Sequence, residues 1–314
     1  MIIREAVAAD VPEIVQVLKA SLGETELPLS EEIWNYKHRN NPFGQSIVLI
    51  AIEDKNIVGV RALMRWKWHR NGKEYFCLRA VDTATHPKHQ GKGIFKKLTL
   101  KAVDVAQTEG ADFIFNTPNE KSRPGYLKMG WEISGKLKVG LSPAILSFWK
   151  FRNSIPEYEI IYQTSFKRLE DLCTGWNLGL EKEKLHTKKS AKYLKWRYEE
   201  NPLQAYEVLV TSNFYLAGYI KKRKKIKELR IVECIFQNKS GEKEADKIIR
   251  KWSMKFGAQV ISFSPLLKKE LIPSIKGKFG PLATVRNLNL TEIEREACFT
   301  TENWTYSLGD LELF

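Results

Sequence analysis

The strongest constraint on the fold of this chain is that it repeats itself. The stretch "IIREAV" and then "DVPEIVQVLKASL" returns from Glu159 as "EIIYQTSFKRLEDLCTGW", with Ile160 and Ile161 standing where Ile2 and Ile3 stood. "WNYKHRNNPFGQSIVLIAI", Trp34 to Ile52, is matched by "LKWRYEENPLQAYEVLVTS", Leu194 to Ser212. Each puts aromatic and basic residues on a helix that stops at Asn-Pro, enters an apolar strand and reaches a glycine, Gly59 or Gly218. "LRAVD", Leu78 to Asp82, answers "LRIVE", Leu229 to Glu233. "GADFIFNTP", Gly110 to Pro118, answers "GAQVISFSP", Gly257 to Pro265. Matches in one fixed order predict two copies of a β-α-α-β-β-β-α-β unit; two unrelated α/β domains are the alternative. The 314 residues leave room for two domains. We place them at 1–140 and 159–314, with a linker at 141–158.

Composition narrows the class. Hydrophobic residues make up 43% of the chain, enough to build cores. The N-terminus lacks a basic stretch followed by an apolar one, so no signal peptide is expected, and no run approaches the roughly 18 apolar residues of a membrane span. Cys77, Cys173, Cys234 and Cys298 are widely spaced without a CxxC pair, which predicts neither a metal site nor a disulfide framework and suits a reduced, cytoplasmic compartment. The formal net charge is +14. A nucleic-acid partner would need basic residues gathered on one face, ideally with stacking aromatics. The densest run, "KKRKKIK" from Lys221 to Lys227, sits between two strand-like stretches and reads as a solvated hairpin tip. A basic surface also steers anionic small molecules. The segments "WNYKH" and "YLKWRY" read as core and interface aromatics. "NWTYSLGDLELF" reads as a closing strand and turn.

The chemistry concentrates in "THPKHQGKGIFKKLTLKAVDVA", Thr85 to Ala106. The strand-like "YFCLRAVDTAT" leads into "HPKHQGKG" and then a helix over 94–107 whose apolar face is Ile94, Leu98, Ala102, Val103 and Ala106. A strand, a glycine turn and a helix N-terminus make an anion site, because first-turn amides lack internal partners and carry the positive end of the helix dipole. Gly91 and Gly93 let backbone N–H groups approach a phosphate, and Lys88, Lys92, Lys96 and Lys97 add charge. The stretch is neither GxxxxGK[ST] nor GxGxxG.

"HPKHQGKGIF" resembles the acetyl-CoA signature of the GNAT superfamily of N-acyltransferases, Gln/Arg-x-x-Gly-x-Gly/Ala. Gln90 and Gly93 match, Gly91 is common there, and the sixth position departs as Phe95. "IIREAVAADVPEIVQVL" is similar to the opening strand and helix of that family, and "FNTPNEKSRPGYLKMGW", Phe115 to Trp131, to its closing part. The whole chain resembles the tandem two-domain members associated with bacterial surface-polysaccharide pathways. The resemblance implies a fold class of α/β (α+β mixed sheet), with two tandem GNAT-like domains, each a mostly antiparallel sheet flanked by helices. It implies acetyl-CoA as co-substrate, held by Thr83, Thr85, Gln90, Gly91, Lys92, Gly93, Ile94, Phe95 and Asn119. The acceptor would be a small-molecule amine, an amino sugar or nucleotide amino sugar among the options. Aminoacyl or peptidyl transferases with tandem GNAT-like domains are an alternative, but they usually lack an intact cofactor loop. A non-catalytic basic nucleic-acid-binding protein is the other alternative, and salt-sensitive binding would mark it.

Direct acyl transfer needs a neutral amine, donors for the carbonyl oxygen and a proton for the leaving thiolate. Tyr126 is the candidate acid, since a phenol with a pKa of about 10 is protonated at neutral pH; it could equally pack beside Trp131. Asp82 is the candidate base or amine anchor, with an ion pair as the alternative. Asn119 could bond the pantetheine arm or cap the segment after Pro118. His86 and His89 read as solvated loop residues. In the second copy "QNKSGE", Gln237 to Glu242, stands for "QGKGIF", with Asn238, Ser240 and Glu242 replacing Gly91, Gly93 and Phe95. Lost backbone access and an anion argue against coenzyme A there. The expectation is one active copy and one degenerate copy.

Overall fold

A computed structural model describes residues 1–22, 29–144, 154–180, 182–223, 226–267 and 274–311. Half of the linker expected at 141–158, residues 145–153, falls outside them, as do residues 224 and 225 of the basic run. The first copy runs β1 (Ile2–Glu5), α1 (Val11–Leu22), α2 (Glu31–His38), β2 (Ile47–Glu53), β3 (Asn56–Arg70), β4 (Lys73–Thr85), α3 (Ile94–Thr108), β5 (Phe113–Asn116), α4 (Arg123–Lys128), β6 (Glu132–Lys136) and β7 (Val139–Pro143). The second runs β8 (Ile160–Tyr162), α5 (Phe166–Gly179), β9 (Leu185–His186), α6 (Ala191–Leu194), β10 (Glu207–Val210), β11 (Phe214–Arg223), β12 (Ile226–Phe236), α7 (Lys239–Phe256), β13 (Val260–Phe263), β14 (Ile275–Gly277), β15 (Leu282–Asn287), α8 (Glu292–Cys298), β16 (Trp304–Thr305) and α9 (Leu308–Leu311). The tail after β16 is thus a short helix rather than a turn.

The fold class is mixed α/β, built on two mixed sheets with helices. One compact unit comprises Met1–Gly135 and Leu282–Asn303, the other Lys136–Pro281 and Trp304–Phe314. The sheet of the first unit has the order β1-β2-β3-β4-β5-β15-β6, and that of the second β14-β7-β13-β12-β11-β10-β8. Residues 136–143, which run from the end of copy one into the expected linker, therefore belong to the second unit, and residues 282–303 of copy two belong to the first. β15 pairs antiparallel with β5, and β7 pairs antiparallel with β13 and β14. Strand choice of this kind rests on long-range pairing, which no local pattern encodes.

Most neighbours in the first sheet are antiparallel, but β4 and β5 are parallel. Helix α3 buries Ile94, Leu98, Ala102, Val103 and Ala106, the face its sequence marks. Gly59 of β3 is required there, because an added Cβ would meet Ile94 and Leu98 at 2.7 and 3.0 Å. In the second unit α7 buries Ala245, Ile249, Trp252 and Phe256. The Asn-Pro stops share one local device: Asn41 Oδ1 accepts from Phe43 N at 3.0 Å, and Asn201 Oδ1 from Leu203 N at 2.9 Å. The aromatics before each stop, Trp34, Tyr36, Tyr193, Trp196 and Tyr198, are buried.

Several local details depart from the sequence pattern. Asp10 does not cap α1; it accepts from Val7 N at 2.7 Å and pairs with Arg4, while Glu13 accepts from Ile57 N at 2.6 Å. Lys227 is not part of a solvated tip. Its Nζ is turned inward onto the carbonyls of Ser154 and Phe256 at 3.0 and 3.2 Å. The repeat also breaks at its first strand: β1 lies antiparallel to β2, whereas β8 lies parallel to β10. Gly218 is not the counterpart of Gly59, since it sits opposite Ile231 as Leu63 sits opposite Ala80.

Candidate active site

β4 carries the site. Opposite β3, Arg61 aligns with Thr83 and Ala62 with Val81, so Asp82 is an extra, bulged residue. Its φ of +38° is left-handed, a conformation that costs a non-glycine residue about 1–3 kcal/mol. The bulge carries the Asp82 carboxylate to α2. There Lys37 forms an ion pair with it, and His38 Nε2 lies 2.8 Å from Oδ2. His38 Nδ1 is 2.9 Å from Ser46 Oγ, and the ring stacks on Trp34 at 4.0 Å. Burial alone would raise the Asp82 pKa, but the charge of Lys37 and the bond to His38 outweigh it and hold it well below the carboxylate range. Burial lowers the pKa of His38, more than Asp82 raises it, so the imidazole is neutral at pH 7. His38 and Ser46 line a polar cavity of about 260 Å³ that also takes in Arg39, Arg65 and Glu109.

On its other side β4 pairs with β5 only from Cys77–Phe113 to Arg79–Phe115, then runs on to Thr85 while β5 ends at Asn116. The turn beyond Thr85 is pinned at its base. Gln90 Nε2 donates to the Thr85 carbonyl at 3.3 Å, and Glu53 holds His89 at 2.7 Å and Lys92 at 3.1 Å. Lys92 thus has a carboxylate partner already, and His89 is tied rather than free in solvent. Gly91 and Gly93 have φ of +80° and +74°, and nothing lies within 4 Å of a Cβ built on either. Gly93 is the N-cap of α3 and supplies no side-chain bond to its first-turn amides. Lys88, Lys96 and Lys97 are exposed around it. Open backbone, left-handed glycines and surrounding positive charge fit a pyrophosphate.

Phe95 turns away from this opening. It packs edge-on against Tyr126 at 5.7 Å and lies close enough to Gly125 that an added Cβ there would approach it to 3.2 Å. Tyr126 also meets Trp131 edge-on at 5.1 Å, and its hydroxyl accepts from Arg61 Nη1 at 2.7 Å. The same Nη1 donates to Thr83 Oγ1. Ile94 and Tyr126 are buried in one core, and Thr83 joins Tyr126 through Arg61. Asn119 acts as a cap: its Oδ1 accepts from Ser122 N at 2.9 Å and its carbonyl from Arg123 N at 3.0 Å. Asp82 faces α2 and is held apart from that cluster by its bonds to Lys37 and His38. Arg61, Lys37, His38 and Ser46 escaped the sequence reading. An arginine inside the apolar run "IVGVRALM" was a signal for the first; a Lys-His pair just before Asn-Pro was one for the next two.

The second copy holds the same places differently. Only Gln237 and Asn238 separate β12 from α7, and Asn238 is the N-cap. Asn238 therefore stands where Gly93 stands, two places off the alignment of "QNKSGE" with "QGKGIF". Its Oδ1 accepts from the amides of Ser240 and Gly241 at 2.9 and 3.1 Å, so this helix start caps itself. Glu233 stands for Asp82, and Tyr198 for His38, donating to Glu233 Oε2 at 3.1 Å. Lys189 bridges Glu233 and Asp310 at 2.8 and 2.6 Å, all three buried. The cavity beside them is about 20 Å³, room for roughly one water.

Residues 2–134 match the family model described as an acetyltransferase (GNAT) domain. No curated protein matches the chain. Among solved structures, a conserved protein from Enterococcus faecalis V583 superposes with a TM-score of 0.66 at 10% identity, over 91% of this chain and 72% of its own. A GCN5-related N-acetyltransferase from Anabaena variabilis gives 0.63 at 12%, over 92% and 73%, and one from Kribbella flavida 0.62 at 13%, over 91% and 71%. At these identities the likeness is one of fold. No helix among the described residues is long and apolar enough to cross a membrane. Residues 2–134 therefore match an acetyltransferase (GNAT) domain, and the chain as a whole shares its fold with the GCN5-related N-acetyltransferases above.

Proposed function

We propose that the chain is an N-acetyltransferase that moves an acetyl group from acetyl-CoA to the amine of a small acceptor, with copy one active and copy two degenerate. The observation that carries this reading is the start of α3, where left-handed Gly91 and Gly93 leave uncapped amides open to an anion beside exposed lysines. Thr83, Thr85, Gln90, Gly91, Lys92 and Gly93 line the strand end and turn that would receive the cofactor, with the backbone amides of Ile94 and Phe95, whose side chains turn into the core; Asn119 caps the segment that leads into α4. The acceptor nitrogen attacks the thioester carbon, a C–N bond forms, the C–S bond breaks, and the sulfur leaves with a proton. Tyr126 supplies that proton from a hydroxyl held by Arg61. On the amine side Asp82, kept ionised by Lys37, does not meet the amine itself; it holds the Nε2–H edge of His38 and so turns Nδ1 toward Ser46 and the polar cavity. His38, neutral and donating Nε2–H to Asp82, takes at Nδ1, by way of the Ser46 hydroxyl, the proton that must leave the ammonium before attack. An amino sugar or nucleotide amino sugar, in a cytoplasmic pathway of surface-polysaccharide type, is the acceptor class we favour. The +14 charge would gather such anionic conjugates.

Thiol release from acetyl-CoA, measured with amino sugars, nucleotide amino sugars, polyamines and amino acids, tests the reading. At least one class should release thiol, and Tyr126→Phe should lower kcat by about 10²-fold with little change in KM. Absence of both thiol release and coenzyme A binding would overturn it.

A further inference from the structure

Arg61 raises a question that the acyl-transfer chemistry leaves open. Its side chain is fully buried, at 0% exposure, in the middle of β3. Nη1 is occupied by the hydroxyls of Thr83 and Tyr126, both uncharged, and the guanidinium carbon lies 5.3 Å from the Tyr126 ring centre. Nε and Nη2 have no hydrogen-bond partner among the described residues. Asp82, next to Thr83, is bulged toward α2 and committed to Lys37 and His38. A guanidinium stays charged in any protein environment, and burying it without a counter-ion is strongly unfavourable. The unpaired atoms also form a pattern. Nε–H and one Nη2–H lie parallel along a single edge of the plane, the fork that receives both oxygens of a carboxylate.

We propose that Arg61 is a substrate-binding residue whose Nε/Nη2 edge takes a carboxylate of the compound that reacts beside Tyr126. The carboxylate belongs either to the acyl group, as in a malonyl or succinyl thioester, or to the amine acceptor, as in an amino acid or a sugar acid. The inference rests on the acyltransferase reading for the reaction, but the carboxylate site can be measured without turnover. The chain supplies its own control for the fold. By strand register Leu216 of β11 occupies the level of Arg61 and is fully buried, so a leucine packs at this place in the repeat. Replacing Arg61 by leucine removes an unpaired buried charge and leaves the hydroxyls of Thr83 and Tyr126 able to bond to each other or to water.

The test uses the full chain and its Arg61→Leu variant. One arm compares malonyl- and succinyl-CoA with acetyl-CoA at a fixed neutral amine; the other compares amino acids and sugar acids with their amides at fixed acetyl-CoA. Calorimetric binding of the same carboxylates and amides runs beside the kinetics. In one arm the carboxylate form should be preferred by about 30-fold or more, and Arg61→Leu should shrink that preference to within about 3-fold. The arm that responds identifies the partner. The melting temperature of Arg61→Leu should equal or exceed that of the parent, whereas a purely structural arginine would lower it. Equal use of carboxylate and amide in both arms, or a preference that survives Arg61→Leu, overturns the proposal and leaves the acyltransferase reading standing. If no thioester is turned over, Arg61-dependent carboxylate binding still upholds the site, and its absence sinks it.

Discussion

Helices α3 and α7 follow the same strand in the two copies, and their first turns differ in one respect that decides what each can bind. Gly93 leaves the amides of α3 without a side-chain cap; Asn238 closes those of α7 with its own oxygen. The acids on the strand that leads into each helix show the same contrast. Asp82 bonds to a histidine that can exchange a proton and that borders a cavity of about 260 Å³. Glu233 bonds to a phenol whose pKa burial drives well above its ordinary value, and Lys189 and Asp310 close the space around it to about 20 Å³. Both halves of the chain hold a buried acid bonded to a ring residue that precedes Asn-Pro. One copy left that pair beside open space, and the other filled the space with a salt-bridged network.

The sharpest way to break this contrast is to remove the filling. Lys189→Met leaves Glu233 and Asp310 buried with no cation between them, and should destabilise the chain by about 3–5 kcal/mol in urea unfolding. A loss under about 1 kcal/mol would mean that the network is wet and the second copy less closed than described.

The open copy should show its histidine in the pH profile. The folded-state pKa of His38 lies below its unfolded value of 6.5, because burial opposes the charged ring. The unfolded chain therefore binds the proton more readily. The stability this group contributes is present above pH 6.5 and is lost as pH falls through the lowered value. The acid limb of kcat/KM should likewise have its midpoint below 6.5, and His38→Gln should abolish that limb and cost about 10²-fold in rate. An unchanged limb in the variant would return the proton to another group.

How much of this could be read from the chain before its fold was known varies by feature, and the reason is range. The α3 face, the Asn-Pro stops and the glycine turn are local, and they stand where the residue pattern puts them. Phe95, which breaks the glycine signature, points into the core against Tyr126. The pairing of His38 with Asp82 spans 44 residues and depends on a bulge, so spacing gave no hint of it. The placement of β7 and β15 and the hydroxyls around Arg61 are long-range in the same way. Asn238 shows a subtler limit. Matching letters aligned it with Gly91, while the helix start sets it at Gly93, because the second copy has a shorter connection.

The most direct test of one open and one closed copy is the stoichiometry of coenzyme A binding to the full chain by titration calorimetry. The account predicts one equivalent per chain, abolished by Gly93→Glu, which adds an anion and a left-handed side chain at the turn, and unchanged by Asn238→Ala. Two equivalents per chain, or one that survives Gly93→Glu, would contradict it.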